Sequence, residues 1–179
     1  LAGWIVGEEA KRRQRCPESW REIRGTRDLP SLGFTLSAKA DRIGRTDAGE
    51  LVIYDYKTGA APSPKEIERY EKQLPLEAAI VATGGFPDVA AGAVTALEYM
   101  SLAGGGKTSS LAMEDGDGGN LIDATWSEFE RLITTVGSDT YGFTARDRPA
   151  NIKYPSDYDH LARFGEWQDT DPPTPEDMA

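Results

Sequence analysis

The sequence predicts an α/β domain in which a mixed β-sheet is flanked by helices. Residues 34–41 alternate apolar and polar side chains, and after a turn residues 51–57 form a mostly apolar partner strand, a pattern typical of a β-hairpin. Helical periodicity brackets this hairpin in residues 1–15 and 63–84, and another apolar strand follows at 93–102. A chain of 179 residues is long enough to bury one sizeable core.

The N-terminal elements follow from local pattern. Residues 1–15 are predicted to form a helix whose basic end, KRRQR, complements the helix dipole. EIRG (22–25) is predicted as a short strand. In residues 34–43 the apolar side chains alternate with polar ones, which places Asp41 on the polar face. A turn with Asp47 and Gly49 then leads into the partner strand, LVIYDYK, at 51–57.

The next segment carries clear helix signals. Ser63 is predicted to cap a helix, and Glu66 three residues later completes a capping box. Pro75 interrupts the periodic stretch, so we expect either two helices or one helix that is kinked just after Gln73.

The C-terminal part is less regular. Residues 101–110 and 114–120 are rich in glycine and are predicted to be loops. Thr125 and Glu128 are predicted to cap a helix over 126–136. The acidic segment 168–179 is predicted to be a disordered tail.

Charge and cysteine content limit the classes of function. A net charge of −10 argues against a tight, free-standing nucleic-acid binder. Residues 1–57 carry a balance of +2, so a polyanion is expected to approach there, near Lys11 to Arg15; the alternative is a solvated helix face. Cys16 is the only cysteine, which excludes an internal disulfide and favours a reducing cytoplasm. No stretch approaches the ~20 apolar residues of a membrane span.

The residues that could take part in catalysis or bind a metal lie at the end of strand 51–57. Asp55 and Lys57 point to the same face, about 7 Å apart at the backbone. Asp41 ends the neighbouring strand, and a divalent cation relieves the repulsion between two such carboxylates. Oxygen ligands favour Mg²⁺ or Mn²⁺, and a lysine beside the ion can orient a water molecule, as phosphodiester hydrolysis requires. The alternative is an ordinary hairpin with charges that are solvated or paired with Arg42.

The block AKADRIGRTDAGELVIYDYKTGAAPS, followed by KQLPLEAAI, resembles the nuclease motifs of the PD-(D/E)XK superfamily in its RecB-like branch. More narrowly, the chain resembles the C-terminal nuclease domain of the AddB family, whose members are subunits of AddAB helicase–nucleases. Four segments carry this resemblance: WIVGEEAKRR, QLPLEAAI, GGF and DYDHLARFGEW. The resemblance covers residues 1–167 and implies a restriction-endonuclease-like fold. It also implies a Mg²⁺- or Mn²⁺-dependent deoxyribonuclease of exonuclease type that cleaves single-stranded DNA in double-strand break repair, with an AddA-type partner subunit. Whether an isolated fragment is active stays open, and the alternative is an inactive nuclease-like scaffold that binds its helicase partner and DNA.

Transferred by position, the resemblance implies roles for five residues. Asp41 and Asp55 become metal ligands, together with the main-chain carbonyl of Tyr56. Lys57 becomes the catalytic lysine, and Gln73 becomes the helix glutamine that positions substrate or water.

Several positions depart from the family pattern. Glu77 replaces the tyrosine that usually follows the glutamine, which weakens the expectation of a DNA contact there. The upstream ligand, generally a histidine, has no match, so Glu8, Glu9 or a residue before Leu1 are the alternatives, and the last is favoured. His160 is predicted to be a structural helix residue. Related domains often hold an iron–sulfur cluster, which Cys16 alone cannot bind, so no cluster is expected.

Overall fold

The computed structural model describes residues 1–114, 119–142 and 166. The chain divides into two units, Leu1–Glu130 and Arg131–Ala179. The elements in chain order are α1 (Ala2–Arg15), β1 (Glu18–Leu29), β2 (Phe34–Arg45), β3 (Leu51–Lys57), α2 (Pro64–Arg69), α3 (Gln73–Ala82), β4 (Val94–Ser101), β5 (Lys107–Ser110) and α4 (Leu121–Val136).

One mixed sheet of five strands organises the first unit, in the order β1-β2-β3-β4-β5. Strands β1, β2 and β3 are antiparallel neighbours, β4 is parallel to β3, and β5 is antiparallel to β4. A parallel pair needs a crossover connection, which α2 and α3 supply between β3 and β4. This is a restriction-endonuclease-like α/β fold, as the sequence predicted. The crossover brings the start of α3 back beside the end of β3.

The core packs α3 against the sheet. Strand β3 is fully buried through Leu51, Ile53 and Tyr54, and α3 buries almost all of its side chains, among them Leu74 and Ile80. Apolar burial on this scale fixes the position of α3 relative to β3. Side chains at the first turns of α3 are therefore held in a defined place above the end of β3.

The predictions for α1, the hairpin and the capped helix are confirmed. Ser63 Oγ accepts a hydrogen bond from the amide of Glu66, and Glu66 Oε2 accepts one from the amide of Ser63 at 2.7 Å. The stretch divides into two helices, but the break lies at residues 70–72, before Gln73 and not just after it. Pro75 lies in the first turn of α3, where its missing N–H costs no helical hydrogen bond.

Two predictions from local pattern are wrong, and the strand predicted at 22–25 is present but longer than expected. Helix α4 begins at Leu121, because Asn120 Oδ1 accepts the amides of Ile122 and Asp123, and Thr125 is buried inside the helix instead of capping it. Residues 107–110 form β5, because they pair with the end of β4. Strand β1 is twelve residues long, since it pairs with nearly the whole of β2.

The basic cluster of α1 is largely a solvent-exposed helix face, and its basic side chains also form ion pairs. Lys11 pairs with Glu8, and Arg15 pairs with Glu98 at 2.5 Å. Arg12 and Arg13 both pair with Glu9, and Arg12 is buried. Because Arg12 and Arg13 share a single carboxylate, the charge of the cluster is only partly compensated within the domain.

Some expectations fall outside the described residues. These are the role of His160, the domain boundary between 167 and 168, and the acidic tail at 168–179. Glu114 and Asn120 form an antiparallel bridge at the ends of the predicted loop 114–120, of which residues 115–118 are not described. In the described parts of the chain, no helix combines the length and the apolar character needed to cross a membrane.

Candidate active site

Three of the predicted site residues form one connected group at the end of β3. Lys57 Nζ lies 3.1 Å from Asp55 Oδ2 and donates a hydrogen bond to Gln73 Oε1 at 3.2 Å. Gln73 Nε2 in turn donates to Asp55 Oδ1 at 2.9 Å. Asp55 is only 3% exposed, whereas Gln73 is exposed and Lys57 partly so, which leaves the lysine and the amide accessible to a substrate.

Asp41 lies beside this group and is held by the backbone of β3. The ladder between β2 and β3 ends at the pair Arg42–Tyr54, and Asp41 Oδ2 accepts the next free amide, that of Tyr56, at 2.9 Å. Burial raises the pKa of Asp55, and the charge of Asp41 raises it further, against the opposing effect of Lys57. Asp41 and Asp55 are therefore close enough to repel each other.

Glu77 is a further site residue, which the sequence showed only as a departure from the family pattern. Its side chain is 2% exposed, and Oε1 accepts a hydrogen bond from Gln73 Nε2 at 3.1 Å. Burial raises the pKa of Glu77 to about 7; the charges of Asp55 and Asp41 add to the effect and the bond from Gln73 opposes it. The signal that could have revealed it is the spacing of four residues from Gln73, which puts both side chains on one helix face.

The two candidates for the upstream ligand lie on the other side of the sheet. Glu9 accepts a hydrogen bond from Arg42, whose guanidinium lies 5.7 Å from the centre of the Tyr54 ring. Tyr54 and Asp55 are consecutive in β3 and so point to opposite faces. Glu8 pairs with Lys11 and accepts from Thr108, whose strand partner, Met100, contacts the same arginine-rich region. Neither glutamate joins the group around Asp55.

The donor atoms of the site fit a hard divalent cation. Asp55 Oδ2 and Glu77 Oε2 are buried oxygens without a hydrogen bond, and Asp55 Oδ2 is compensated only by the ion pair with Lys57. Among the described residues, no three His, Cys, Asp or Glu side chains converge as a metal cage. Mg²⁺ commonly takes only one or two carboxylates from a protein and completes its shell with water and phosphate oxygens. Asp41, Asp55 and the carbonyl of Tyr56 match that requirement.

The fold and this group of residues define the class of protein, an α/β nuclease domain with a carboxylate–lysine site. The profile of the PD-(D/E)XK nuclease superfamily matches residues 2–163. The chain belongs to the PD-(D/E)XK nuclease superfamily. Membership implies nuclease activity and DNA binding in general terms, and nucleases of this superfamily generally use divalent metal ions.

The curated relatives that match are much longer proteins without an assigned function. The uncharacterized protein RT0391 of Rickettsia typhi is 36% identical over 81 residues, which are 44% of this chain and 9% of that protein. The uncharacterized protein RC0550 of Rickettsia conorii is 35% identical over 81 residues, or 44% of this chain and 10% of that protein. The match thus covers less than half of this chain and about a tenth of each relative's length.

Among solved structures, the crystal structure of SSO0001 matches at 13% sequence identity with a TM-score of 0.45. The match covers 77% of this chain and 61% of that one.

Proposed function

We propose that this chain is the nuclease domain of an AddB-type subunit of a helicase–nuclease. In this proposal it is a Mg²⁺-dependent deoxyribonuclease of exonuclease type, which hydrolyses single-stranded DNA during double-strand break repair and recombination in the cytoplasm. The observation that carries the proposal is the connected group of Asp55, Lys57 and Gln73 beside Asp41. The proposed domain extends over residues 1–167.

Each residue has a distinct part in the proposed reaction. When bound, Mg²⁺ or Mn²⁺ supplies Lewis-acid chemistry, polarising the phosphoryl oxygen and acidifying a water molecule. Asp41 and Asp55, with the carbonyl of Tyr56, would hold the ion. Lys57 points its ammonium group over the same region and donates hydrogen bonds, so it orients the attacking water or stabilises charge that develops on the phosphate. Gln73 restrains that ammonium group through its side-chain carbonyl.

The electrostatics favour a module that works within a larger assembly. The chain carries a net charge of −10, and the arginines and lysine of α1 are paired with glutamates. Affinity for DNA comes mainly from unpaired basic side chains that contact phosphates. We therefore propose that a helicase partner of the AddA type provides most of the attraction for DNA, whereas this domain cuts the strand.

Cleavage of labelled single-stranded DNA in the presence of Mg²⁺ or Mn²⁺ tests the proposal. The assay uses both this chain and the full-length protein with its partner. Asp55→Ala and Lys57→Ala should each lower the rate by at least about 10²-fold, since each removes a group that acts on the reacting phosphate. Asp47→Ala and Lys65→Ala, which remove exposed charges elsewhere, are the matched controls and should cleave like the wild type.

The specific alternative is a nuclease-like scaffold that no longer cleaves. The observation in its favour is that Glu8 and Glu9 lie away from Asp55, so no residue of α1 supplies the upstream ligand. Absence of cleavage by the wild-type full-length complex would support the scaffold and contradict the nuclease.

A further inference from the structure

The side-chain amide of Gln73 lies between two carboxylates and one ammonium group. Its nitrogen donates to Asp55 Oδ1 at 2.9 Å and to Glu77 Oε1 at 3.1 Å, and its oxygen accepts from Lys57 Nζ at 3.2 Å. We propose that Glu77 is a positioning residue that fixes the orientation of this amide and, through it, the place of the Lys57 ammonium group. The inference rests on the proposed function only for its catalytic readout.

The chemistry of an amide explains why its orientation matters. An amide group has a donating –NH₂ end and an accepting carbonyl end, and here both N–H groups and the carbonyl oxygen are engaged. Rotating the amide by half a turn would face its oxygen toward two carboxylates and its N–H groups toward Lys57. Asp55 alone would satisfy one N–H group. Glu77 accepts from the second N–H group. In the rotated state the amide oxygen would therefore face two carboxylates and lose its bond with Lys57, which is unfavourable.

Glu77 is poorly suited to a purely structural role. Its carboxylate is 2% exposed, and Oε2 is buried without a hydrogen bond. A buried carboxylate that is incompletely paired lowers stability relative to an apolar side chain of similar size. Apart from the hydrogen bond with Gln73, α3 buries apolar side chains around it. Because Glu77 lowers stability and contacts the amide of Gln73, its presence is better explained by positioning that amide than by packing.

Two substitutions at this position separate a positioning role from the others. Glu77→Met removes the acceptor and keeps the volume, whereas Glu77→Gln keeps a side-chain carbonyl that can accept from Gln73. Leu76→Met, on the same helix, is the control for an apolar exchange. The measurements are kcat and KM for cleavage of single-stranded DNA, the thermal unfolding temperature, and the ¹⁵N-resolved NMR signals of the Gln73 side-chain amide, assigned with Gln73→Asn.

We expect Glu77→Met to lower kcat about tenfold or more at nearly unchanged KM, because a small displacement of a catalytic group costs that much. Its unfolding temperature should equal or exceed that of the wild type, and the Gln73 amide protons should exchange faster with solvent. Glu77→Gln should retain most of the wild-type kcat, and Leu76→Met should behave like the wild type.

Three outcomes would overturn the inference. One is full kcat in Glu77→Met, another is an unchanged Gln73 amide in that variant, and the third is a Glu77→Gln variant as impaired as Glu77→Met, which would point to a role for the charge itself. If the wild type does not cleave DNA at all, the proposed function fails, whereas the NMR signals of Gln73 still decide whether Glu77 orients the amide.

Discussion

A carboxylate costs several kcal/mol to bury without full compensation, yet this site buries two, Asp55 and Glu77, on either side of one amide. A stable domain has no need of such an arrangement, since apolar side chains of similar volume would pack there at lower cost. Buried titratable residues with shifted pKa values that cluster at one place are typical of functional sites. The energetics of single residues therefore agree with a site of chemistry at the end of β3.

The raised pKa of Glu77 gives a testable dependence of stability on pH. Its carboxyl binds a proton more tightly in the folded state, with a pKa of about 7 against an ordinary value of 4.5. Its stabilising effect is thus complete below pH ~4.5 and is lost as the pH rises through 7. In metal-free buffer, the wild type should lose about 2–3 kcal/mol of unfolding free energy relative to Glu77→Gln between pH 5 and pH 8.

Urea unfolding of the two proteins at several pH values measures this difference. Curves of unfolding free energy against pH that run parallel for the wild type and Glu77→Gln would show that Glu77 titrates normally.

Site residues differ in how visible they are in the sequence. Asp41, Asp55, Lys57 and Gln73 stand in a dense motif, and strand alternation alone places Asp55 and Lys57 on one side. Glu77 was missed because its role depends on how deeply α3 is buried, and burial is a property of the packed domain. The spacing of four residues between Gln73 and Glu77 is visible in the sequence. It indicates a role for Glu77 only once Gln73 is known to contact Asp55.

At the scale of elements, one carboxylate joins α1 to the sheet. Glu9 lies within ion-pair distance of Arg12, Arg13, Arg21 and Arg42. Burial raises the pKa of Glu9, but hydrogen bonds from Arg13 and Arg42 outweigh it and bring the pKa to about 2. Arg42 and Arg12 are only 2% and 6% exposed. The carboxylate of Glu9 therefore compensates the charge of two buried guanidinium groups between α1 and the sheet.

Removing that carboxylate should strongly destabilise the domain. Glu9→Met leaves Arg42 and Arg12 buried without a counter-ion, and we expect a loss of about 3–5 kcal/mol in the free energy of unfolding. Glu9→Met combined with Arg42→Met should recover more than half of that loss. Glu18→Met is the control, since Glu18 is exposed and pairs at 3.6 Å with a partly buried Arg45, and pairs at the surface contribute about 1 kcal/mol or less.

Chemical denaturation of the three variants provides the measurement. A Glu9→Met protein as stable as Glu18→Met would mean that the buried arginines do not depend on Glu9.

Elements were predictable where the signal is local. The capping box at Ser63 and Glu66 needs only four consecutive residues, and the structure contains it at those two residues. Strand β1 and strand β5 depend on pairing with β2 and β4, so their length is set by partners distant in the sequence. Helix α4 was predicted to begin too late because Thr125 and Glu128 satisfy the capping pattern, although Asn120 supplies the cap.

At the scale of the whole molecule, the superfamily and the site agree, whereas the biological setting is a proposal. The chain carries a net charge of −10, and the basic side chains of α1 form ion pairs with glutamates. The match with its curated relatives covers about a tenth of their length, so the activity and partners of the whole protein are proposals.

Anomalous diffraction from crystals soaked with Mn²⁺ tests the central claim most directly. We expect one strong peak that contacts the carboxylates of Asp41 and Asp55 at about 2.2 Å, with the carbonyl of Tyr56 in the same shell. The peak should vanish in Asp55→Asn and persist in Asp47→Asn. Manganese density elsewhere on the domain, with none between Asp41 and Asp55, would contradict the account.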